Sequence, residues 1–253
     1  MTLACLVPTM GDGRRQQARH RKIYQLLDDQ PLLAHTLARL EQHPGIDAIF
    51  PIALPEEVGF VRALVAQRLG RSKVVDVLEG RLLRQDFMQQ ALLRIGPAYD
   101  LVMIHDGCRP LVSAELISRV IAAAEVHGAA VSTVPTYDTL KAVSRESFIT
   151  QGIERRRLRI LQTPQVFRYD MLARAYAHAA RENFYGSDEV QLVERLGERI
   201  KGVPGSHLNL YVATREDVAL ARALLKLEPE SLDPEPGDVT ESDGGQRQQR
   251  EKE

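Results

Sequence analysis

Glycine and basic residues just after the first apolar run have the types and spacing to bind a phosphate chain. Residues 11–15 read Gly-Asp-Gly-Arg-Arg, and Lys22 follows a short distance on. Glycines let backbone N–H groups approach an anion, and Arg15 and Lys22 can neutralise its charge. The loop has neither the Gly-Lys-Ser/Thr ending of a P-loop nor the third glycine of a dinucleotide fingerprint. By itself it predicts either a phosphate site at Gly11 and Gly13 or a turn with solvated basic residues.

A second group of reactive side chains follows a later apolar run, where residues 105–110 read His-Asp-Gly-Cys-Arg-Pro. Ligands of open α/β sheets bind at the carboxyl ends of the strands. Asp106 could hold Mg²⁺ against phosphate oxygens there, and Arg109 could bind a second phosphate through two parallel hydrogen bonds. The alternative is a surface Asp–Arg ion pair. We interpret His105 as a hydrogen-bonded residue at a strand end rather than a catalytic base.

The elements that must position these loops alternate between short apolar runs and longer amphipathic stretches. Strands are predicted at 3–8, 48–54, 74–77, 101–105, 129–135, 160–166 and 208–213. Helices are predicted at 31–40, 55–69, 84–95, 113–127, 169–179 and 187–196, with Ser113, Ser187 and Thr214 at helix starts. This order predicts an α/β fold: a single Rossmann-like, mainly parallel sheet with helices on both faces.

Two segments do not fit the alternation. Residues 136–159 mix β-branched and basic residues without a helical period, which predicts a protruding β-arm. From 227 onward the chain is rich in Pro, Glu, Asp, Gly and Gln, and too few apolar residues remain to offset the entropy of ordering. We therefore predict one domain over 1–226, arm included, and a disordered tail over 227–253.

Composition excludes several classes of function. The 253 residues include 33 basic and 34 acidic side chains, so no overall charge attracts a nucleic acid or an anionic membrane. No apolar stretch approaches the roughly 20 residues that span a bilayer. Cys5 and Cys108 lack the spacing of a metal or redox pair, which favours a reducing, cytoplasmic location.

Together these blocks resemble the 2-C-methyl-D-erythritol 4-phosphate cytidylyltransferase family of isoprenoid biosynthesis. The likeness covers nearly the whole chain before the tail. Its carriers are residues 8–15 with Lys22 and Tyr24, 102–110, 134–135, 138–141, Arg155, 161–167 and 187–189. The resemblance implies transfer of CMP from CTP to 2-C-methyl-D-erythritol 4-phosphate, with release of pyrophosphate.

The resemblance also implies a role for individual residues. Arg15 and Lys22 would be catalytic and stabilise charge on the α-phosphorus. Gly11, Gly13, Arg84 and Asp106 would bind the nucleotide, with Asp106 holding Mg²⁺, and Arg109, Thr139, Arg155 and Thr163 would bind the acceptor. Thr139 and Arg155 would reach in from the partner subunit of a homodimer formed through the arm. The alternative for Arg155 is a place in a solvated basic run at 155–157.

Several positions depart from the family pattern, including Thr9, Met10 and the turn at 78–83. Phe87 stands in place of a serine whose hydroxyl contacts cytosine, and Leu208 and Tyr211 stand in place of an aspartate and a lysine. A phenyl ring cannot make the hydrogen bond, and the loss of a cation near the phosphates would raise the barrier. Two alternatives therefore remain: a nucleotidyltransferase for another base or polyol phosphate, such as ribitol 5-phosphate, or a silent relative that serves as a binding module.

Overall fold

A seven-stranded sheet forms the centre of the fold. The computed structural model describes residues 1–9, 23–68, 72–80 and 83–227. Its strands are β1 (Leu3–Pro8), β2 (Leu26–Leu27), β3 (Gln30–Pro31), β4 (Ala48–Ala53), β5 (Leu78–Glu79), β6 (Leu101–Ile104), β7 (Ala129–Pro135), β8 (Leu140–Val143), β9 (Ile149–Ile153), β10 (Arg159–Arg168) and β11 (Lys201–Pro204). Its helices are α1 (Leu32–Gln42), α2 (Val58–Arg68), α3 (Arg84–Ile95), α4 (Ala114–His127), α5 (Tyr169–Arg181), α6 (Glu189–Arg195) and α7 (Arg215–Leu225).

The sheet is mainly parallel, as the sequence predicts. Its strand order is β11-β7-β10-β6-β1-β4-β5. Within the described residues, only β10 runs antiparallel to its neighbours in this sheet, β6 and β7. Gln165 lies opposite Ile104 in the β10–β6 pair, so continuation of this register carries Thr163 beside Asp106. The reversed strand thus brings a threonine to the carboxyl edge of the parallel strands, beside the turn that begins at Asp106.

Helices cover both faces because the central strands are apolar on both sides. Along β1, Leu3, Cys5 and Val7 pack with the helices of one face, and Ala4 and Leu6 pack with those of the other. The first face carries α1, α2, α4 and α7, and the second carries α3, α5 and α6. The predicted α/β architecture is therefore confirmed.

Side-chain caps fix the starts of several helices. The Ser113 hydroxyl accepts from the backbone N–H of Leu116 at 3.2 Å, as predicted. Asp188 caps α6, one residue later than the predicted Ser187, because its carboxylate accepts from the N–H of Gln191. A carboxylate there also suits the positive end of the helix dipole.

The prediction of a strand at 208–213 is wrong. That segment crosses the sheet edge without joining it, while the last strand is β11, paired parallel with β7. Only Val203 of β11 is buried, so this edge strand has no apolar run to reveal it. Residues 74–77, which are also predicted to form a strand, make only an isolated bridge between Val74 and Ile49. The strand next to β4 is β5, which begins directly after them at Leu78.

Residues 136–159 form an extension that contains the hairpin β8–β9 and a 3₁₀ turn at Arg155–Arg157. We call this segment the arm. Several of its large apolar side chains are exposed, among them Phe148 at 72% and Ile149 at 71%. The predicted tail at 227–253 lies outside the described residues except for Leu227. In the described part of the chain, no helix combines the length and apolar character needed to span a membrane.

The capping box of α7 gives a test of local stability. The Thr214 hydroxyl accepts from the Asp217 N–H at 3.1 Å, and the Asp217 carboxylate accepts from the Thr214 N–H at 2.7 Å. Thr214→Ala should lower the free energy of unfolding by about 1 kcal/mol, because it leaves a helix N–H without an acceptor. Urea denaturation measures this, and Thr214→Ser should stay close to the unmodified protein. Equal losses in both variants would contradict the assignment.

Candidate active site

The turn after β6 brings a carboxylate and a guanidinium into direct contact. Arg109 Nε donates to Asp106 Oδ2 at 3.2 Å, and these side chains are only 10% and 24% exposed. The backbone N–H of Asp106 donates to Thr163 Oγ1 at 2.9 Å. The reversed strand β10 is therefore tied to the turn by the threonine that its register places there.

Asn209 joins the same group from a segment far along the chain. Its side-chain Nδ2 donates to the Thr163 backbone carbonyl at 2.7 Å, and its backbone carbonyl accepts from Arg109 Nη1 at 2.7 Å. Asp106, Thr163, Asn209 and Arg109 thus form a closed ring of hydrogen bonds. We call it the edge ring.

The edge ring keeps specific groups available for a ligand. Arg109 Nη2 has no acceptor and Asp106 Oδ1 has no donor among the described residues. The Thr163 oxygen already accepts from Asp106, so its hydroxyl proton remains for another acceptor. A guanidinium N–H and a hydroxyl suit a phosphate oxygen, and a carboxylate oxygen suits a divalent cation.

His105 supports the turn from behind. It is fully buried, and its Nε2 lies 3.2 Å from the Arg109 carbonyl. Burial lowers the pKa of His105 to about 4, so the ring is neutral at physiological pH and donates through Nε2–H.

Gly107 is closely packed within the same turn. The Thr36 hydroxyl donates to the Gly107 carbonyl at 2.8 Å. A Cβ on Gly107 would lie 2.6 Å from the Ile23 side chain, so any larger residue would have to displace Ile23.

A buried ion pair joins the starts of α3 and α6. Arg84 Nη2 donates to Glu189 Oε2 at 2.8 Å, and the Tyr176 hydroxyl donates to Glu189 Oε1 at 3.0 Å. Burial opposes the charge on Arg84, but attraction to Glu189 and then Asp106 outweighs it and raises the pKa of Arg84. Arg84 is therefore a permanent cation whose field reaches Asp106.

Comparison with known proteins decides the family. A family model described as 2-C-methyl-D-erythritol 4-phosphate cytidylyltransferase matches residues 3–227. The chain belongs to this family.

Individual members of the family are similar to this chain over most of its length. The chain is 38% identical over 226 residues to the 2-C-methyl-D-erythritol 4-phosphate cytidylyltransferase of Syntrophus aciditrophicus, with 89% of this chain and 97% of the relative covered. It is 34% identical to the protein of the same name from Bacillus cereus, with 88% and 97% covered. The crystal structure of the Thermus thermophilus cytidylyltransferase superposes with a TM-score of 0.70 at 29% identity, over 88% of this chain and 98% of that one.

The structure brings together some of the site residues that the sequence predicts and separates others. Asp106, Arg109 and Thr163 share the edge ring, and Arg84 interacts electrostatically with Asp106. The predicted phosphate residues Gly11, Gly13, Arg15 and Lys22 lie outside the described residues.

Thr139 and Arg155 are exposed on the arm. The Arg155 guanidinium donates to the Tyr137 carbonyl. Among the described residues, no hydrogen bond joins either of them to the edge ring.

The sequence alone predicts no role for Asn209, Glu189 or Tyr176. It places Asn209 in a strand, although a lone amide between two leucines can signal a buried hydrogen bond. Glu189 belongs to a block that resembles the family, and its partner Arg84 lies 105 residues away. Nothing local in the sequence marks that pair.

Two of the positions that depart from the family pattern, Phe87 and Tyr211, have packing roles. The Phe87 ring is 1% exposed and belongs to the core under α3. The Tyr211 ring lies against Arg109, with 5.2 Å between the guanidinium carbon and the ring centroid. An aromatic face attracts a cation, so Tyr211 helps to orient Arg109. It does not supply a positive charge of its own.

The low pKa of His105 makes stability pH-dependent. Its pKa falls from an ordinary 6.5 to about 4 on folding, so between these values the unfolded chain binds more protons. Stability should therefore decrease as pH falls through this window, by about 3 kcal/mol from this residue. Urea denaturation across pH 4 to 7 should show a flatter profile for His105→Gln, whose amide can still donate to the Arg109 carbonyl.

The difference between the pH profiles of the unmodified protein and His105→Gln measures the contribution of His105 alone. Burial also lowers the pKa of His43, but that residue is present in both. Parallel profiles for the variant and the unmodified protein would overturn the assignment of a buried neutral His105.

Proposed function

We propose that this protein transfers CMP from CTP to 2-C-methyl-D-erythritol 4-phosphate and releases pyrophosphate. The observation that carries the proposal is the edge ring of a chain that belongs to the cytidylyltransferase family. The ring holds a cation, a hydroxyl and a carboxylate at one edge of the sheet, and each keeps one group without a partner among the described residues. These are the groups that an acceptor phosphate and a metal-bound triphosphate need.

The acceptor phosphate binds Arg109 Nη2 and the Thr163 hydroxyl. One of its oxygens attacks the α-phosphorus of CTP, and the bond from that phosphorus to the oxygen of the β-phosphate breaks. Pyrophosphate leaves with the bonding electrons. Such a transfer needs alignment and charge stabilisation and no protein nucleophile, so positioned cations are chemically sufficient.

The nucleotide binds on the side of Asp106 that is opposite to the acceptor phosphate. The N–H groups of the loop at Gly11 and Gly13 bind phosphate oxygens, and Arg15 and Lys22 stabilise the charge that develops on the α-phosphorus. Arg84 adds a cation from the start of α3, where Glu189 holds it in place.

Mg²⁺ fits this site as a partner of Asp106. Among the described residues, no cluster of His, Cys, Asp and Glu could bind a metal ion without a substrate. A single carboxylate combined with substrate phosphates is how Mg²⁺ is commonly bound. When bound there, Mg²⁺ would neutralise phosphate charge. Asp106 Oδ1 would serve as the ligand, because Oδ2 accepts from Arg109.

We propose a homodimer in which each arm completes the partner's site. The exposed apolar residues of the arm include Val143, Phe148, Ile149 and Ile153. Their burial against a second copy would be favourable. The exposed Thr139 and Arg155 would then contact the acceptor bound to the other subunit.

We also place the protein in the cytoplasm, without a nucleic-acid or membrane partner. Cys5 and Cys108 form no disulfide within the described part of the chain, which suits a reducing compartment. The balanced formal charge of −1 gives no field for polyanions.

One observation favours a second candidate, a transferase with another base or acceptor. Because the Phe87 ring is buried in the core, position 87 presents no polar group to a nucleobase. A site without that contact discriminates less between bases.

Pyrophosphate release tests these proposals directly. The purified protein with Mg²⁺ should release pyrophosphate with CTP and 2-C-methyl-D-erythritol 4-phosphate faster than with ATP, GTP or UTP, or with ribitol 5-phosphate. A higher rate with another pair would establish the second candidate. Binding of nucleotide without release from any pair would indicate a silent binding module.

Substitutions in the loop serve as a control for that assay. Arg15→Ala and Lys22→Ala should each lower kcat at least about a hundredfold, because a cation at the reacting phosphorus acts mainly in the transition state. Unfolding midpoints should change little. Full activity in either variant would show that the loop does not act on the phosphates.

Mixed dimers test the shared site. Asp106→Ala and Arg155→Ala should each inactivate the pure dimer. Heterodimers combine one doubly defective site with one intact site, so co-expression of the two variants should restore about a quarter of the unmodified rate. No recovery, despite heterodimers detected by mass spectrometry, would mean that Arg155 serves its own subunit.

A further inference from the structure

Asn209 occupies a corner of the edge ring that substrate cannot reach. It is 1% exposed, whereas Asp106, at the opposite corner, is partly open to solvent. Its two ring contacts are each 2.7 Å, shorter than the 2.9 Å and 3.2 Å contacts that Asp106 makes. Asn209 therefore acts on the ring through Thr163 and Arg109, to which it makes its two shortest hydrogen bonds.

The Thr163 backbone depends on side-chain donors. The pairing of β10 with β7 is interrupted between Leu161 and Gln165, so residues 162–164 have no partner in that ladder. The Thr163 carbonyl accepts instead from the Asn209 amide. Without that donor, a buried carbonyl would lose its hydrogen bond and the threonine would be free to move.

Arg109 depends on the same segment. Its Nε is fixed by Asp106 and its Nη1 by the backbone carbonyl of Asn209, while the Tyr211 ring covers one side of the guanidinium. Two anchored nitrogens and a packed face define the plane of a guanidinium. The direction of the remaining nitrogen, Nη2, is thereby set.

We propose that Asn209 is a positioning residue that fixes the distance between the Thr163 hydroxyl and Arg109 Nη2. This inference rests on the proposed function, in which those two groups bind the acceptor phosphate. Loss of the Asn209 amide should weaken acceptor binding and leave nucleotide binding largely unchanged, because the residues proposed for the triphosphate are outside the ring apart from Asp106.

Steady-state kinetics and nucleotide binding test this role. Asn209→Leu keeps the side-chain size and removes the donor, and Asn209→Ser is a smaller polar variant that cannot reach the Thr163 carbonyl. Each should raise KM for 2-C-methyl-D-erythritol 4-phosphate about tenfold, the equivalent of one lost hydrogen bond. The Kd for CTP, measured by calorimetry without acceptor, should change less than about twofold.

Tyr169→Phe is the matched control. The Tyr169 hydroxyl donates to the Leu92 carbonyl at 3.3 Å, so this variant also loses one bond from a side chain to a carbonyl, on the other face of the sheet. It should leave KM for the acceptor unchanged. An equal rise in KM in this control would mean that general destabilisation explains the effect.

A double-mutant cycle distinguishes positioning from a structural role. If Asn209 acts through Thr163, Asn209→Leu should raise KM much less in a Thr163→Val background than in the unmodified protein. Independent, multiplying effects would overturn the proposal, as would equal changes in acceptor KM and CTP Kd.

The unmodified protein separates this inference from the proposed function. If it neither releases pyrophosphate nor binds the acceptor, the proposed function fails and the positioning role fails with it. If it is active and the Asn209 variants show no selective effect on the acceptor, only the positioning role fails.

Discussion

The site depends on keeping one nearly buried cation neutralised. Arg109 is 8% exposed, and a guanidinium so far from water is strongly unfavourable unless carboxylate and carbonyl groups replace its hydration. The carboxylate comes from its own turn, three residues earlier, and the carbonyl comes from Asn209, one hundred residues later. The segment at 209–212 lies against this turn, since the Val212 N–H also donates to the Cys108 carbonyl at 2.9 Å. Its backbone therefore bonds to the turn rather than to a strand of the sheet.

The antiparallel strand makes the arrangement possible. If β10 were parallel to β6, its carboxyl end would lie at the active edge and its middle residues would lie inside the sheet. Reversed, it continues past the end of β6 and places Thr163 beside Asp106. Its irregular pairing with β7 then leaves a backbone carbonyl available for Asn209. The direction, register and interruption of β10 together determine which groups of the turn are bonded within the protein.

Much of this architecture could be predicted from local pattern. The buried strands are continuous apolar runs, and Asp106 and Arg109 lie three residues apart after one of them, so their contact is a local event. Interactions between residues that are far apart in the sequence produce no local pattern from which they could be predicted. The bonds from Asn209 to Thr163 and from Arg84 to Glu189 join residues 46 and 105 positions apart. The edge strand β11 buries only Val203, so burial imposed no pattern on its sequence.

Two side chains that depart from the family pattern, Phe87 and Tyr211, are packed into the protein, and this changes how they affect the site. On α3, Phe87 follows Arg84 by three residues, so the two side chains are neighbours on the helix. Its ring anchors the first turn of the helix in the core, while Glu189 fixes the guanidinium from α6. Tyr211 acts on Arg109. Of these two aromatic residues, only Tyr211 touches an arginine directly, whereas Phe87 holds the helix that carries Arg84. In this chain, residue 87 therefore contributes an apolar anchor to the core and residue 211 a ring face to Arg109.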